Sequence, residues 1–381
     1  MKRVRIGVIG VGGMGYGHCK SATSLEETRL TCVCDIDREV AKNIAEEFEV
    51  KYFTDYKELV KSGLVDGVIV ATHHWIHPEI SIFSMENGLH VLSEKPISVT
   101  VSDADSMIEV AKKNGKVFSV MYQRRTTPSI KEARKIVESG RLGGIQRTMC
   151  IDPSYRAQAY YDSGTWRATW SGEGGGVLIN QAPHGIDVFI LLGGLPSKVE
   201  AKVRTKLHKI EVEDEACAFL EYPNGSWGYY YATTCEPAGK YHLELIGDKG
   251  KLVLIGDELK FYTFSQPISE FTPKAPDMWA SPEVKEEIIE IPTDSSVGHI
   301  EIIRNFARAI MYGEELISPG EEGLKSVEFI NATILSGVKN QPVTIPVDRE
   351  EYDKFIGELK KSSKPKKISH VQRVTDPRFG L

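Results

Sequence analysis

The sequence predicts an α/β protein joined to an α+β part: an N-terminal doubly wound parallel sheet, then a C-terminal domain on a predominantly antiparallel sheet. Three observations carry that prediction. A short apolar strand (Val4, Ile6, Val8, Ile9) runs straight into Gly10-x-Gly12-x-x-Gly15. Strand-like and helix-like segments then alternate to about residue 125. Beyond about residue 145, strand segments follow one another through short turns, with no helix between them. Alternation implies crossovers and a parallel sheet, whereas consecutive strands imply hairpins.

The first strand and its glycines come first in the argument. Gly10 permits a tight turn, Gly12 lets backbone approach a pyrophosphate, and Gly15 lets the next helix pack close to the strand. That helix start offers free N–H groups and a partial positive charge to phosphates. Arg29–Cys34 reads as the second strand, ended by Asp35, twenty residues past Gly15. A carboxylate there accepts hydrogen bonds from both adenosine ribose hydroxyls and repels a 2′-phosphate, which predicts NAD over NADP. Arg38 is read as a solvated surface charge, with a phosphate contact as the alternative.

The next elements are short. Val50–Phe53 is a strand and Tyr56–Ser62 a helix. Gly67–Ala71 is an unbroken apolar run, as a strand covered on both faces requires. Pro78–Asn87 is a helix stopped by Gly88, His90–Ser93 a strand, Val101–Asn114 an amphipathic helix stopped by Gly115, and Val117–Met121 a strand.

Texture then changes. A loop-rich stretch carries Tyr155, Tyr160, Tyr161, Trp166 and Trp170, and Gly174–Gly176 leads into a helical segment ending near Gly193. Ala216–Tyr222 and Trp227–Ala232 flank Asn224-Gly225, a hairpin signal, and Tyr241–Ile246 and Lys251–Ile255 flank another turn. Ile300–Tyr312 and Leu324–Val338 read as helices, and the basic tail Lys360–Leu381 as an extended arm or disordered segment. The expected boundaries are a nucleotide-binding domain at 1–125, a substrate-binding and oligomerisation domain at 126–350, and a C-terminal helix and tail at 351–381.

Composition sets limits. With 381 residues, 41% hydrophobic and 26% charged, the chain is ordinary for a globular protein. A net charge of −6 gives no reason to expect nucleic acid or an anionic membrane as partner. No apolar run is long enough to span a bilayer. The six scattered cysteines show no metal-type pairing and read as buried, reduced thiols, so a cytoplasmic protein is expected.

Two segments carry chemistry. Glu94-Lys95-Pro96 follows the strand HVLS at its C-terminal end, the edge at which open α/β sheets bind ligands. A lysine ammonium there can polarise a hydroxyl and lower its pKa as alkoxide character develops. In the second segment, after Gly174–Gly176, Asn180, His184 and Asp187 would share one helix face, although Pro183 must start a helix or kink one. A histidine titrating near neutrality suits general base work on a secondary alcohol. Asp187 reads equally as a site residue or as the structural partner of a nearby donor.

These motifs, in this order and spacing, resemble the Gfo/Idh/MocA oxidoreductases over about residues 1–350. The resemblance implies a Rossmann domain, NAD, a catalytic role for Lys95, and His184 as acid/base. It implies a cofactor-binding set of Gly10, Gly12, Gly13, Met14, Gly15, Asp35, Thr72, His74, His77, Glu94, Lys95, Gln123, Trp166 and Arg167. It implies substrate contacts from Lys95, Arg124, Tyr155, Tyr160, Asn180 and His184, with Asn180 counted in the catalytic group. The position four before the histidine is often aspartate in the family; here it is Asn180, an amide without charge. Some sugar-oxidising members share Asn-Gln-x-x-His, and the stretch from Tyr160 to Gly176 is similar to that of dehydrogenases of glucosides and anhydrosugars.

The histidines of Thr72-His73-His74-Trp75-Ile76-His77 invite a zinc reading, but no acidic or cysteine ligand completes a set nearby, so no metal is expected. Aromatic residues of the loop would stack on a sugar ring or pack the loop itself. Trp227–Tyr231 would form a subunit face or core, and a homodimer or homotetramer through the antiparallel sheet is expected from the resemblance. The expected reaction is NAD-dependent oxidation of a secondary hydroxyl on a sugar, glycoside or cyclitol. The alternatives are an NAD-recycling glycosidase acting by oxidation and elimination, and a non-enzymatic NAD-binding regulator. Retention of Lys95 and His184 argues against the last.

Overall fold

The computed structural model describes residues 3–293, 297–364 and 366. The first sheet contains β1 (Val4–Ile9), β2 (Thr28–Cys34), β3 (Lys51–Phe53), β4 (Gly67–Val70), β5 (His90–Ser93) and β6 (Phe118–Val120). Its order is β3-β2-β1-β4-β5-β6 and every pairing is parallel. The direction of winding reverses between β1 and β4, which opens a crevice at their C-terminal ends. The connecting helices are α1 (Gly13–Ser24), α2 (Arg38–Glu47), α3 (Tyr56–Lys61), α4 (His77–Glu86) and α5 (Val101–Lys113). The Asp37, Asp55 and Thr100 side chains accept hydrogen bonds from first-turn N–H groups of α2, α3 and α5.

The chain then forms α6 (Pro128–Glu138), β7 (Ile145–Pro153), α7 (Gln158–Asp162), α8 (Val177–Asn180) and α9 (Pro183–Gly193). Strands β8 (Lys198–Arg204), β9 (Glu215–Glu221), β10 (Trp227–Thr233), β11 (His242–Gly247), β12 (Gly250–Ile255) and β13 (Glu258–Phe264) follow. After them come α10 (Ile268–Phe271), β14 (Val284–Ile288), α11 (His299–Tyr312), α12 (Gly320–Lys339), β15 (Val343–Thr344) and α13 (Arg349–Ser362). The second sheet has nine strands in the order β14-β13-β12-β11-β7-β10-β9-β8-β15. It is antiparallel except where β10 pairs with β7 in parallel, a connection too long-range to read from turn residues. One face packs on α6, α9 and α12, where Phe189, Tyr230 and Phe329 meet in the core. The opposite face is open and carries Phe219, Trp227 and Tyr229.

Two later helices return to the first sheet. α11 packs on α1 and β1, and α12 touches α5 and β6 as well as β8. Asn331 of α12 ties down the α5 start, donating from Nδ2 to the Val99 carbonyl and accepting from the Val101 N–H. The basic segment expected as a tail begins inside α13; its residues 367–381 lie outside the described residues. Among the described residues, no helix is long and apolar enough to cross a membrane.

Candidate active site

The glycines of the first turn behave as their spacing requires. Gly10 has φ of +84°, a left-handed conformation that favours glycine. A Cβ on Gly15 would lie 1.8 Å from the Gly10 carbonyl oxygen, so only glycine lets α1 come this close to β1. A Cβ on Gly12 or Gly13 would meet nothing within 4 Å, which leaves an open cradle at the start of α1, with Met14 on its rim. Asp35 turns back on this loop: Oδ2 accepts from the Val11 N–H at 2.9 Å and Oδ1 from the Asp37 N–H at 3.0 Å. Each oxygen has a second lone pair for a ribose hydroxyl. The open cradle and the acidic end of β2 fit NAD.

At the same sheet edge, β5 leads directly into Glu94 and Lys95, with a cis peptide from Lys95 to Pro96. Lys95 reaches across to the second domain, where its Nζ donates to the Asn180 carbonyl at 2.9 Å. Burial pulls its pKa below the ordinary lysine range, while the nearby Glu94 and Glu173 carboxylates push it back up. Glu94 is itself buried. Its Oε1 lies 2.7 Å from His18 Nε2 on α1, and its Oε2 accepts the Lys95 N–H at 3.0 Å. Burial opposes its charge, but His18 holds its carboxyl far below the usual range.

Pro183 breaks the predicted single helix in two. α8 ends at Asn180 and α9 begins at Pro183, where a missing N–H costs nothing. His184 therefore sits in the first turn of α9. Its Nε2 lies 3.3 Å from Gln123 Nε2, and its buried Nδ1 has no partner among the described residues. Burial first, and then the Lys95 charge, hold its pKa well below 6.5, so the ring is neutral at pH 7. Among the described residues, Gln123 Oε1, Thr72 Oγ1 and Gln181 Oε1 are likewise buried without partners.

Asp187, one helical turn further on, does not reach the site. It is buried in a two-pronged pair with Arg125, with Oδ2 2.8 Å from Nε and Oδ1 2.5 Å from Nη2. The structural alternative for Asp187 is the one observed. Arg124, its neighbour, lies over the Tyr241 ring, 4.2 Å from the centroid.

The loop from 155 to 176 closes the other side. Tyr160 Oη receives Arg167 Nη1 at 2.7 Å, Asn180 Nδ2 at 3.2 Å and Gln181 Nε2 at 3.3 Å. The Arg167 guanidinium lies over both the Tyr160 and Trp166 rings, and Trp166 meets His73 at 4.5 Å between centroids. Asn180 Nδ2 also donates to Glu173 Oε1. Tyr155 is exposed, and its carbonyl accepts from Arg156 Nη1 at 2.8 Å. From behind, Lys366 Nζ donates to the carbonyls of Tyr161 (2.5 Å) and Arg167 (3.2 Å), and Ser363 Oγ lies 2.9 Å from Ser171 Oγ.

One expected cofactor contact, His77, is corrected. His77 is wholly buried, its ring nitrogens 2.9 Å from the Pro96 carbonyl and 3.1 Å from the Thr72 carbonyl, so none is left for a ligand. His74 Nδ1 meets the Glu173 carbonyl at 3.1 Å. Both rings brace loops around the crevice. Sequence reasoning assigned no role to Glu173 or His18, whose positions become informative only when buried partners 7 and 76 residues away are in view. Outside this region, His208, Asp214 and Cys235 lie together, but His208 Nδ1 meets Asp214 and Nε2 meets the Arg156 carbonyl. Neither ring nitrogen is available to a metal.

Residues 4–122 match the NAD-binding Rossmann fold of the GFO_IDH_MocA oxidoreductase family, and residues 130–253 match the GFO/IDH/MocA C-terminal domain. The scyllo-inositol 2-dehydrogenase (NAD(+)) of Bacillus subtilis is 27% identical over 260 residues, covering 66% of this chain and 74% of the relative. The levoglucosan dehydrogenase of Pseudarthrobacter phenanthrenivorans is 25% identical over 292 residues, with 66% and 74% covered. A crystal structure of the WlbA dehydrogenase from Chromobacterium violaceum, in complex with NADH and UDP-GlcNAcA, superposes with a TM-score of 0.79. It is 27% identical, over 91% of this chain and 97% of that one.

Proposed function

Since the chain belongs to the GFO/IDH/MocA family of NAD-dependent oxidoreductases, we propose that it oxidises a secondary hydroxyl of a sugar, glycoside or cyclitol. One observation carries the reading. Lys95 from the first sheet contacts Asn180, 85 residues away, and places its charge beside the neutral His184. A cation and an uncharged base thereby share the crevice in which the nucleotide cradle opens.

Bound NAD supplies the hydride acceptor. The residues do the rest. Lys95 Nζ, held at the Asn180 carbonyl, donates to the substrate hydroxyl and stabilises negative charge as it grows on oxygen. His184 takes the hydroxyl proton at Nε2, the ring nitrogen it already shares with Gln123, since Nδ1 is buried. Gln123 orients the ring. Tyr160, Asn180 and Trp166 line the sugar side, where an aromatic face and hydrogen-bonding groups stand together. The relatives named for an inositol and an anhydrosugar support a polyhydroxylated ring as substrate class.

A panel of glycosides, inositols and anhydrosugars, assayed for NADH formation, tests the reading. Lys95→Ala and His184→Ala should each lower kcat by ~10²-fold or more and leave NAD affinity unchanged. Near-normal turnover in either variant would refute the assignment. Release of an aglycone with no net NADH would instead favour the NAD-recycling glycosidase. Because burial lowers the Lys95 pKa, turnover should fall on the alkaline side before the ordinary lysine range, as the ammonium is lost.

The open sheet face with Phe219, Trp227 and Tyr229 supports a homodimer or homotetramer formed through it, to be measured by light scattering. Six unpaired cysteines, four of them buried, support a reducing, cytoplasmic setting.

A further inference from the structure

The amide at position 180 cannot supply charge, yet a carboxyl group stands directly behind it. Glu173 is buried, its side chain only 1% exposed, in the turn before the glycine run. Its Oε2 accepts the Ala168 N–H at 2.5 Å, and its Oε1 accepts from Asn180 Nδ2. An ionised carboxylate only accepts hydrogen bonds. With Glu173 ionised, the Asn180 NH₂ faces Glu173 and the Tyr160 oxygen, which leaves Oδ1 turned away from both. Tyr160 Oη, which also receives the Arg167 guanidinium, is the second acceptor for that NH₂.

We propose that Glu173 is the positioning residue that holds the Asn180 amide with its carbonyl outward, as the acceptor for a substrate hydroxyl beside the one that Lys95 polarises. The proposal rests on the sugar-oxidising reading. It also selects a substrate class: a ring with two adjacent free hydroxyls, one donated to Asn180 Oδ1 and its neighbour oxidised. A ring in which the hydroxyl adjacent to the oxidised one is removed or methylated leaves Oδ1 without its donor.

The same carboxyl makes the arrangement sensitive to pH. Burial pushes the Glu173 pKa up to about 7, against the Ala168 N–H and the charges of Arg167, Lys95 and Lys366 that favour its anion. The Tyr161 hydroxyl and the His74 ring, which meets the Glu173 carbonyl, also stand near it. Once protonated, Glu173 gains an O–H donor and can take the Asn180 carbonyl, so the amide is no longer held one way round.

Four variants of the full chain with NAD test this. In the wild type, KM for the best substrate of the panel should rise as pH falls through neutrality, and Glu173→Gln should remove that inflection while sparing NAD affinity. Glu173→Ala should raise KM by about tenfold and change kcat by less than about threefold, the split expected for lost ground-state binding. Asn180→Asp sets a second carboxylate against Glu173 and should raise KM by at least about tenfold; adding Glu173→Gln to it should recover most of the loss. Additive losses in that pair, or equal falls in kcat, KM and NAD affinity, would overturn the proposal. An infrared carboxyl band that titrates near neutrality and is absent from Glu173→Gln reads the ionisation without turnover; its absence from the wild type would also overturn it. If no panel compound is oxidised while the band is present, the functional reading fails rather than the assignment of Glu173.

Discussion

The nucleotide cradle and the loop proposed to hold substrate are built on opposite plans. The cradle at 10–15 is made by leaving side chains out: Gly10 turns, Gly12 and Gly13 leave space, and Gly15 admits the helix. Its working groups are backbone N–H donors, set by one strand and one helix. The substrate side is made by adding side chains. Tyr160, Arg167, Glu173 and Asn180 satisfy one another, and Lys95 arrives from the other sheet. A site of the first kind binds what every dehydrogenase of this plan shares, the phosphates. A site of the second kind can change its ligand by changing one partner in a network.

The largest expected effect lies where the two regions are fastened. Arg125, just after β6, is paired with Asp187 of α9, both nearly wholly buried. Arg125→Ala would strand a buried carboxylate and should cost about 3–5 kcal/mol of stability, read as a lowered denaturation midpoint. Unchanged stability would mean that the two regions do not depend on this joint. Asp35→Ala comes next. It should weaken NAD by about tenfold, as a hydrogen bond to a charged group is lost, with little change in substrate KM. A matching loss in substrate affinity would blur the division between the regions. The smallest effect is expected from Tyr160→Phe, which removes one oxygen from a network that keeps its other members. It should raise substrate KM by about fivefold and leave NAD affinity alone, as measured by separate titrations.

The same contrast explains what could be read in the sequence. The cradle is local, so six residues and an aspartate at a set distance disclose it. Lys95 and His184 were legible because each sits in a local signature, one beside a strand end and one after a glycine run. Glu173 carried no such signature: as a residue in sequence it is one acid among 53 acidic side chains, and only its burial beside Asn180 sets it apart. His18 was hidden for the same reason: its partner Glu94 lies 76 residues away in the chain. The one-face argument for Asn180, His184 and Asp187 failed at Pro183, which starts a second helix and turns Asp187 toward Arg125. The parallel pairing of β7 with β10 also escaped a reading based on turns, since 79 residues separate Asn224 at the hairpin from the Ile145 carbonyl it binds.

The reach of the chain's far end to the substrate loop has a consequence for the cost of ordering that loop. Lys366 holds the carbonyls of Tyr161 and Arg167, and Ser363 meets Ser171, so residues beyond α13 share in fixing the segment proposed to face the substrate. Freedom regained behind Ser362, by a protease nick or a bulky fusion, would be felt as freedom regained around Tyr160, and substrate would have to restrain both on binding. In the other direction, a seated sugar ring would slow amide exchange in a stretch of backbone that it never touches.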